Sequence, residues 1–333
     1  MRDALMKRKV EDYDVATDAK PEVVLKLFKK VIPTGIKHGT VTVLFKNLKI
    51  EVTTFRIEYN YSDSRHPEIV EFVPSVYEDL KRRDFTINSI AYDLSANKII
   101  DPNNGKADIK NKLIRAIGVP ENRFKEDGLR LLRACRFSAQ LNFKIETNTK
   151  LAIKKYVSII SNISMERIRE EILRILKADK PSIGFNCMHE TGLLSRIIPE
   201  LEEGIGVTQR GLHCFDVFFH SLFSCDAAPK EDPVVRTAAL FHDVGKPRAL
   251  FYTNEGEARF HGHEELSFRM AKEILKRLKF PNAFIERAAY LVKNHMFNYT
   301  DDWTDAAVRR FIARVGREYI DDLISLRRAD QIG

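Results

Sequence analysis

The spacing of apolar residues changes once along this chain, near residue 121, and that change limits the architectures open to it. Before it, apolar and polar residues alternate in short runs. Thr40-Val41-Thr42-Val43-Leu44-Phe45 and Ile50-Glu51-Val52-Thr53-Thr54-Phe55 flank Lys46-Asn47-Leu48-Lys49 and read as a hairpin. Val10 to Val15 reads as a short strand, and Pro21 opens a helix whose apolar face is Val24, Leu27, Phe28 and Val31. Glu58 to Lys81 is charged, carries two prolines and reads as a long loop. After residue 121 helical periodicity runs to the end, interrupted at Pro181, Pro199 and 202–211. The chain of 333 residues exceeds what one core fills and predicts two or three domains. The expected class is α+β. A mixed head at 1–115 precedes an all-α connector at 116–205 and a second all-α domain at 206–333.

Hydrophobic residues are 44% and charged residues 31%, enough apolar material for ordinary cores. The net charge of +8 is compatible with a nucleic-acid partner without requiring one. The four cysteines, Cys135, Cys187, Cys214 and Cys225, lack the spacing of a metal or disulfide framework and read as reduced, buried thiols. No apolar run reaches the ~18–20 residues of a membrane span, and the first residues have no apolar segment like that of a secretory signal. The expected location is the cytoplasm.

Asp12-Tyr13-Asp14 is the first feature with chemical content. In an extended strand, residues i and i+2 share a face, so Asp12 and Asp14 project side by side. Their mutual repulsion is relieved by a cation, and hard oxygen ligands suit Mg²⁺. Glu51 is a lone carboxylate between Ile50 and Val52; if its strand neighbours the first, three carboxylates converge. Such a cluster can activate a hydroxyl and hold a triphosphate. Taken alone, Asp12-Tyr13-Asp14 reads more readily as a solvated acidic turn, and Glu51 as a surface glutamate.

The neighbouring segments change that balance. Arg82-Arg83-Asp84-Phe85-Thr86-Ile87-Asn88-Ser89-Ile90-Ala91-Tyr92 resembles a motif of class II tRNA nucleotidyltransferases and bacterial poly(A) polymerases. Glu126-Asp127-Gly128-Leu129-Arg130-Leu131-Leu132-Arg133 and Glu166-Arg167-Ile168-Arg169-Glu170-Glu171-Ile172 are similar to two more, as are 32–40 and 51–56, all in the family's order. Met1-Arg2-Asp3 resembles the tail of a motif whose two glycines precede this chain's first residue, so the expected palm is N-terminally truncated.

The resemblance implies addition of nucleotides to an RNA 3′ end, the CCA end of tRNA in particular, from CTP and ATP with release of pyrophosphate. It implies Mg²⁺ on Asp12 and Asp14, with Glu51 as the third carboxylate. Asp127 and Arg130, read as i, i+3 neighbours on a helix, would present acceptor and donor edges to an incoming base; the plain alternative is a surface ion pair. Arg133 and Arg136 would continue that face toward nucleotide or phosphates. Arg2 and Arg83 would hold the triphosphate, and Asp84 and Asn88 the ribose or the local turn, with a helix cap as the alternative for Asn88. The loop Tyr61–Pro67 matches one that accompanies full CCA addition.

Seven of the nine histidines fall between His189 and His295. His220, His242-Asp243, His263, His295 and Asp330 fit the ligand order of the HD phosphohydrolase superfamily, which implies a divalent-metal site acting on phosphoesters. Imidazole with carboxylate suits Mn²⁺, Ni²⁺, Fe²⁺, Zn²⁺ or Mg²⁺ and does not choose among them. His189 and His213 are expected to take no part. Three rivals stay open: a poly(A) polymerase, an HD phosphohydrolase with a degenerate head, and a tRNA-binding module without activity.

Overall fold

The computed structural model describes residues 1–10, 13–61, 67–208, 215–255, 257–300 and 302–333. The chain forms two compact units. One comprises Met1–Leu131 with Phe143–Asn162, the other Leu132–Asn142 with Ile163–Gly333.

The first unit opens with α1 (Arg2–Leu5), β1 (Asp14–Thr17) and α2 (Pro21–Leu27), then β2 (Val31–Gly35), β3 (Thr40–Phe45) and β4 (Leu48–Thr54). The four strands make one sheet in the order β1-β4-β3-β2. Strand β1 runs parallel to β4, while β3 is antiparallel to both its neighbours. Val41, Val43 and Val52 pack with Val24 of α2 into a small core, ringed by Ala19, Val31 and Ile50. Full burial of a valine stabilises by roughly 1.5–3 kcal/mol, so this row fixes which face of the sheet points inward. A one-residue slip would put Glu51 in the core.

Three local expectations change. The α2 helix stops at Leu27, which is 68% exposed, and Val31 belongs to β2 rather than to the helix face. Only Val24 and Pro21 are buried from that helix, because the sheet offers it one narrow row of valines. The β3–β4 hairpin turns on Lys46-Asn47 alone, with Phe45 paired to Leu48 and Lys46 at φ 53°. Third, the stretch read as a long loop contains β5 (Arg56–Tyr61), β6 (Pro67–Phe72) and α3 (Val76–Lys81). The two strands form an antiparallel ribbon with Tyr59 opposite Ile69 and Tyr61 opposite Pro67. Charges interleaved with aromatic and β-branched residues hide the alternation, and Pro67 sits at a strand start, where it forfeits little ladder hydrogen bonding. Residues 62–66, at the centre of the Tyr61–Pro67 loop, lie outside the described residues.

Helices α4 (Gly105–Lys110), α5 (Pro120–Glu126), the beginning of α6 (Leu129–Leu141) and α7 (Thr147–Lys155) also belong to the first unit. The second holds the rest of α6, α8 (Met165–Leu176), α9 (Pro181–Thr191), α10 (Leu194–Ile197), α11 (Pro199–Glu202), α12 (Val217–Ala227), α13 (Pro233–Phe241), α14 (Lys246–Ala249), α15 (His263–Arg277), α16 (Asn282–Lys293), α17 (Asp305–Val315) and α18 (Ile320–Ile332). Pro181, Pro199 and Pro233 each begin a helix, where a missing N–H costs nothing. Cys135, Cys187 and Cys225 are free and buried, and burial pushes the Cys225 thiol up, away from ionisation. Among the described residues no helix is long and apolar enough to cross a membrane.

Candidate functional sites

In the first unit the strand register decides where the carboxylates fall. Asp14 of β1 pairs with Glu51 of β4, and Glu51 with Thr42 of β3. In-register partners project to the same face. Asp14, Glu51 and Thr42 therefore form a row across three strands, on the face opposite the row Val15, Val52 and Val41. Asp14 and Glu51 are both exposed, open to a cation and to substrate. Asp12 lies outside the described residues.

Asn88 stands at the middle of a polar network. It ends a short 3₁₀ turn, Thr86–Asn88, rather than capping a helix. Its amide nitrogen donates to Asp84 Oδ1 at 3.0 Å and its Oδ1 accepts from Arg2 Nη1 at 2.8 Å. Asp84 also accepts from the Phe85 amide at 2.7 Å, and Arg83 donates to the Asn88 carbonyl at 3.3 Å. The network thus draws Arg2, Arg83, Asp84 and Asn88 together. Asp79, which sequence reading missed, anchors it from below. It is 1% exposed and pairs with Arg82 at 2.7 Å and Arg83 at 3.3 Å. Its spacing of three and four residues before the arginines was the available signal, masked because α3 read as loop.

Asp127 differs from expectation. It is extended (φ −144°, ψ 105°), between α5 and α6, and its Oδ1 accepts from the Leu129 amide at 3.1 Å, so it caps α6 rather than lying within it. Gly128 separates the two helices, and the break exposes the aspartate's position at a helix start. Arg130 is 8% exposed. Its guanidinium is held by Glu126 at 2.7 Å, the Arg123 carbonyl at 3.1 Å and the Arg82 carbonyl at 3.2 Å. Glu126 is a second residue whose role sequence reading missed, although the i, i+4 spacing was visible. In the other unit, Arg133 lies half-buried over the Phe137 ring, and the buried Arg136 pairs with Glu171 at 2.8 Å.

The second unit gathers all six expected HD residues. His220 of α12, His242 just after α13 and Asp330 of α18 form one group; Asp243, His263 and His295 form a second. His220 Nε2 lies 3.1 Å from both His242 Nε2 and Asp330 Oδ1. Asp243 bridges the groups, with Oδ2 at 3.2 Å from His242 Nε2 and Oδ1 at 3.3 Å from His263 and 3.7 Å from His295. His242, His263 and His295 each direct Nδ1 at the carbonyl three residues earlier, at 2.7–2.8 Å. That gives each Nδ1 a proton to donate and turns each Nε2 inward, where it can coordinate once unprotonated.

A divalent cation fits this donor set. Oδ1 of the buried Asp243 and Nε2 of the buried His263 face each other at 3.3 Å without a hydrogen bond, a costly arrangement unless a cation satisfies them. Burial opposes charging of His242, but Asp243 and Asp330 outweigh it and raise its pKa to about 10. Burial and the neighbouring His242 hold His295 down to about 4. Asp330 resists burial through His220 and His242 and stays well below the usual carboxylate range. Lys246 Nζ sits 2.6 Å from Asp243 Oδ2. His189 pairs instead with Glu202 at 2.7 Å, and His213 lies outside the described residues.

Gly245 holds the Asp243–Lys246 turn against α15. A Cβ there would meet the Ser267 amide at 2.6 Å and Leu266 Cβ at 2.8 Å. Gly245→Ala is therefore expected to cost about 1–3 kcal/mol through overpacking and to disturb Asp243; chemical denaturation beside a metal-content measurement checks both.

Comparison with known proteins matches three stretches of the chain. The poly A polymerase head domain family matches residues 1–115, the family described as "Probable RNA and SrmB- binding site of polymerase A" matches 142–205, and the HD domain family matches 210–332. The crystal structure of Bacillus stearothermophilus CCA-adding enzyme in complex with CTP superposes with a TM-score of 0.75 at 30% identity, covering 98% of this chain and 71% of that one. The chain belongs to the CCA-adding enzyme family. Among its relatives in that family, the CCA-adding enzyme of Enterococcus faecalis is 37% identical over 303 residues, covering 91% of this chain and 66% of the relative. That of Lactobacillus johnsonii is 48% identical over 197 residues, 59% of this chain and 49% of the relative. The chain thus spans about half to two thirds of these family members' length.

Proposed function

We propose that this family member adds C and A nucleotides, without a nucleic-acid template, to the 3′ end of tRNA, taking them from CTP and ATP. The observation that carries the reading is the pairing of Asp14 with Glu51 across adjacent parallel strands, in a chain whose Bacillus stearothermophilus relative binds CTP. On this reading the head occupies 1–115, the nucleotide- and RNA-binding neck 116–205 and the HD domain 206–333, and the protein works in the cytoplasm.

The tRNA 3′-hydroxyl attacks the α-phosphorus of the nucleoside triphosphate in line, and pyrophosphate leaves. Asp12 and Asp14, with Glu51, would hold Mg²⁺, which when bound lowers the hydroxyl's pKa and neutralises charge on the triphosphate. Arg2 and Arg83, oriented through Asn88 and Asp79, receive the triphosphate, while Asp84 and Asn88 set the turn beside the ribose. Asp127 and Arg130 present an acceptor and a donor to the base edge. Glu126 keeps the Arg130 guanidinium in one orientation, which is what reading a base without a template requires. Arg133 and Arg136 follow on the same helix; Arg136, held on Glu171, stiffens it.

The test uses tRNA lacking its terminal CCA, with CTP and ATP, and sequences the products. CCA ends support the reading; a homopolymeric A tail supports a poly(A) polymerase instead. Glu126→Gln is expected to raise misincorporation and lower kcat/KM for both nucleotides by about 10–100-fold, because a charge-assisted hydrogen bond worth ~1.5–3 kcal/mol is lost. Single-nucleotide incorporation assays against GTP and UTP measure it.

A second activity rests on the HD cluster. We infer that the six converging ligands hold one or two divalent cations and hydrolyse phosphoesters on RNA ends or nucleotides. The cation, when bound, would lower the pKa of a coordinated water. This chain's part is to fix the ligands through their Nδ1–carbonyl hydrogen bonds and to bring the Lys246 ammonium beside Asp243.

A further inference from the structure

Between Glu22 and Glu51 the sequence contains no acidic residue, yet Lys26, Lys29, Lys30, Lys37, Lys46 and Lys49 fall inside that stretch. The fold brings most of these lysines to one end of the four-stranded sheet. The end of α2 and the β3–β4 turn lie side by side, joined by the Leu44 amide donating to the Lys30 carbonyl at 2.9 Å. On this end Leu27 is 68% exposed, Phe28 41%, and Phe45 and Leu48 50% each. Lys46 Nζ lies 5.7 Å from the Phe45 ring centre. Lys26, Lys29, Lys30, Lys46 and Lys49 are all exposed, and among the described residues none is paired with a carboxylate. Exposed aromatic and aliphatic groups ringed by uncompensated ammonium groups are what a single-stranded polyanion with stacking bases recognises.

We propose that this end of the sheet docks the single-stranded 3′ segment of an RNA, its phosphates on the lysines and its bases against Phe28 and Phe45. The proposal rests on the reading of Asp14 and Glu51 as the point where an RNA 3′ end is extended. Leu48 and Glu51 are three residues apart on β4, about 10 Å at the rise of a strand, and project to opposite faces of the sheet, whereas Lys49 shares the face of Glu51. An RNA whose terminus reaches the carboxylates therefore passes Lys49 and bends around the β3–β4 turn, so that the nucleotides before it reach Phe45 and the end of α2.

The test measures RNA binding in the absence of nucleotide, by fluorescence anisotropy, with tRNA lacking its CCA end and with a short single-stranded RNA. The triple variant Lys29→Glu, Lys30→Glu, Lys49→Glu is expected to raise Kd for both RNAs at least tenfold. The slope of log affinity against log salt should become shallower by about 2, from three lost contacts at ~0.7 each. CTP binding should be unchanged. The double variant Phe28→Ser, Phe45→Ser should weaken RNA binding with the salt slope preserved, separating stacking from charge. Unaltered Kd and slope in the triple variant would overturn the proposal. It is equally overturned if that variant loses only its affinity for phosphatidylglycerol–phosphatidylcholine vesicles, or only a self-association seen by sedimentation, with RNA binding intact. Should the unmodified protein bind RNA through these lysines but incorporate nothing, the docking surface stands and the incorporation reading falls.

Discussion

Asp14→Ala is expected to lower nucleotide incorporation by at least about 10³-fold while the protein stays folded. The size of the effect follows from the charge on a transferring phosphoryl group, where stabilisation is mainly electrostatic and each 1.36 kcal/mol is a factor of ten. Asp14 is exposed and belongs to none of the buried rows of the sheet, so its removal should change stability by no more than ~0.5 kcal/mol. Glu51→Gln should give a smaller loss, since it keeps the hydrogen-bonding shape and removes one charge. The measurement is single-turnover incorporation of labelled CTP into tRNA lacking CCA, beside a thermal melt. Retained incorporation in Asp14→Ala would remove this residue from the chemistry.

Asp243→Ala is expected to empty the HD cluster of its cation and abolish phosphoester hydrolysis, leaving incorporation within about twofold of the unmodified protein. Asp243 joins both ligand groups, so its loss removes the one carboxylate shared by His242, His263 and His295. Losing a metal ligand outright exceeds the 10–100-fold cost of losing an outer partner. Metal content by mass spectrometry and hydrolysis of a 2′,3′-cyclic nucleotide check the two halves. Binding of Mn²⁺ to the metal-free protein should also tighten as pH rises from 6 toward 10. His242, with its pKa raised to about 10, must give up a proton to coordinate; His295, at about 4, is already neutral there. A flat affinity across that range would show that His242 either carries no extra proton in the metal-free cluster or is not a ligand.

How far these sites could be read beforehand depended on the range over which each signal acts. The hairpin that carries Glu51 was visible because strand alternation is local. Its alignment with Asp14 was not, because parallel register is set by the valine core and the connection through α2. The HD ligands were legible as an ordered series of residue types, although five separate helices and their ends supply them. Asp127 was misplaced by one structural category: spacing from Arg130 suggested a helix, whereas Gly128 and the capping hydrogen bond to Leu129 end one helix and begin another. Asp79 and the β5–β6 ribbon were lost in a charged segment, where interleaved charges leave little apolar pattern.

The path of the chain between the two compact units has a practical bearing. The backbone leaves the first unit after Leu131, spends 132–142 in the second and returns for 143–162 before departing for good. No single scissile bond, whether chosen by a protease or by a cloning primer, releases either unit whole. A cut after 131 deprives the first of its α7 segment, and a cut after 162 strips the second of most of α6. Attempts to study either chemistry in isolation are better served by silencing point substitutions in the intact chain than by scissors.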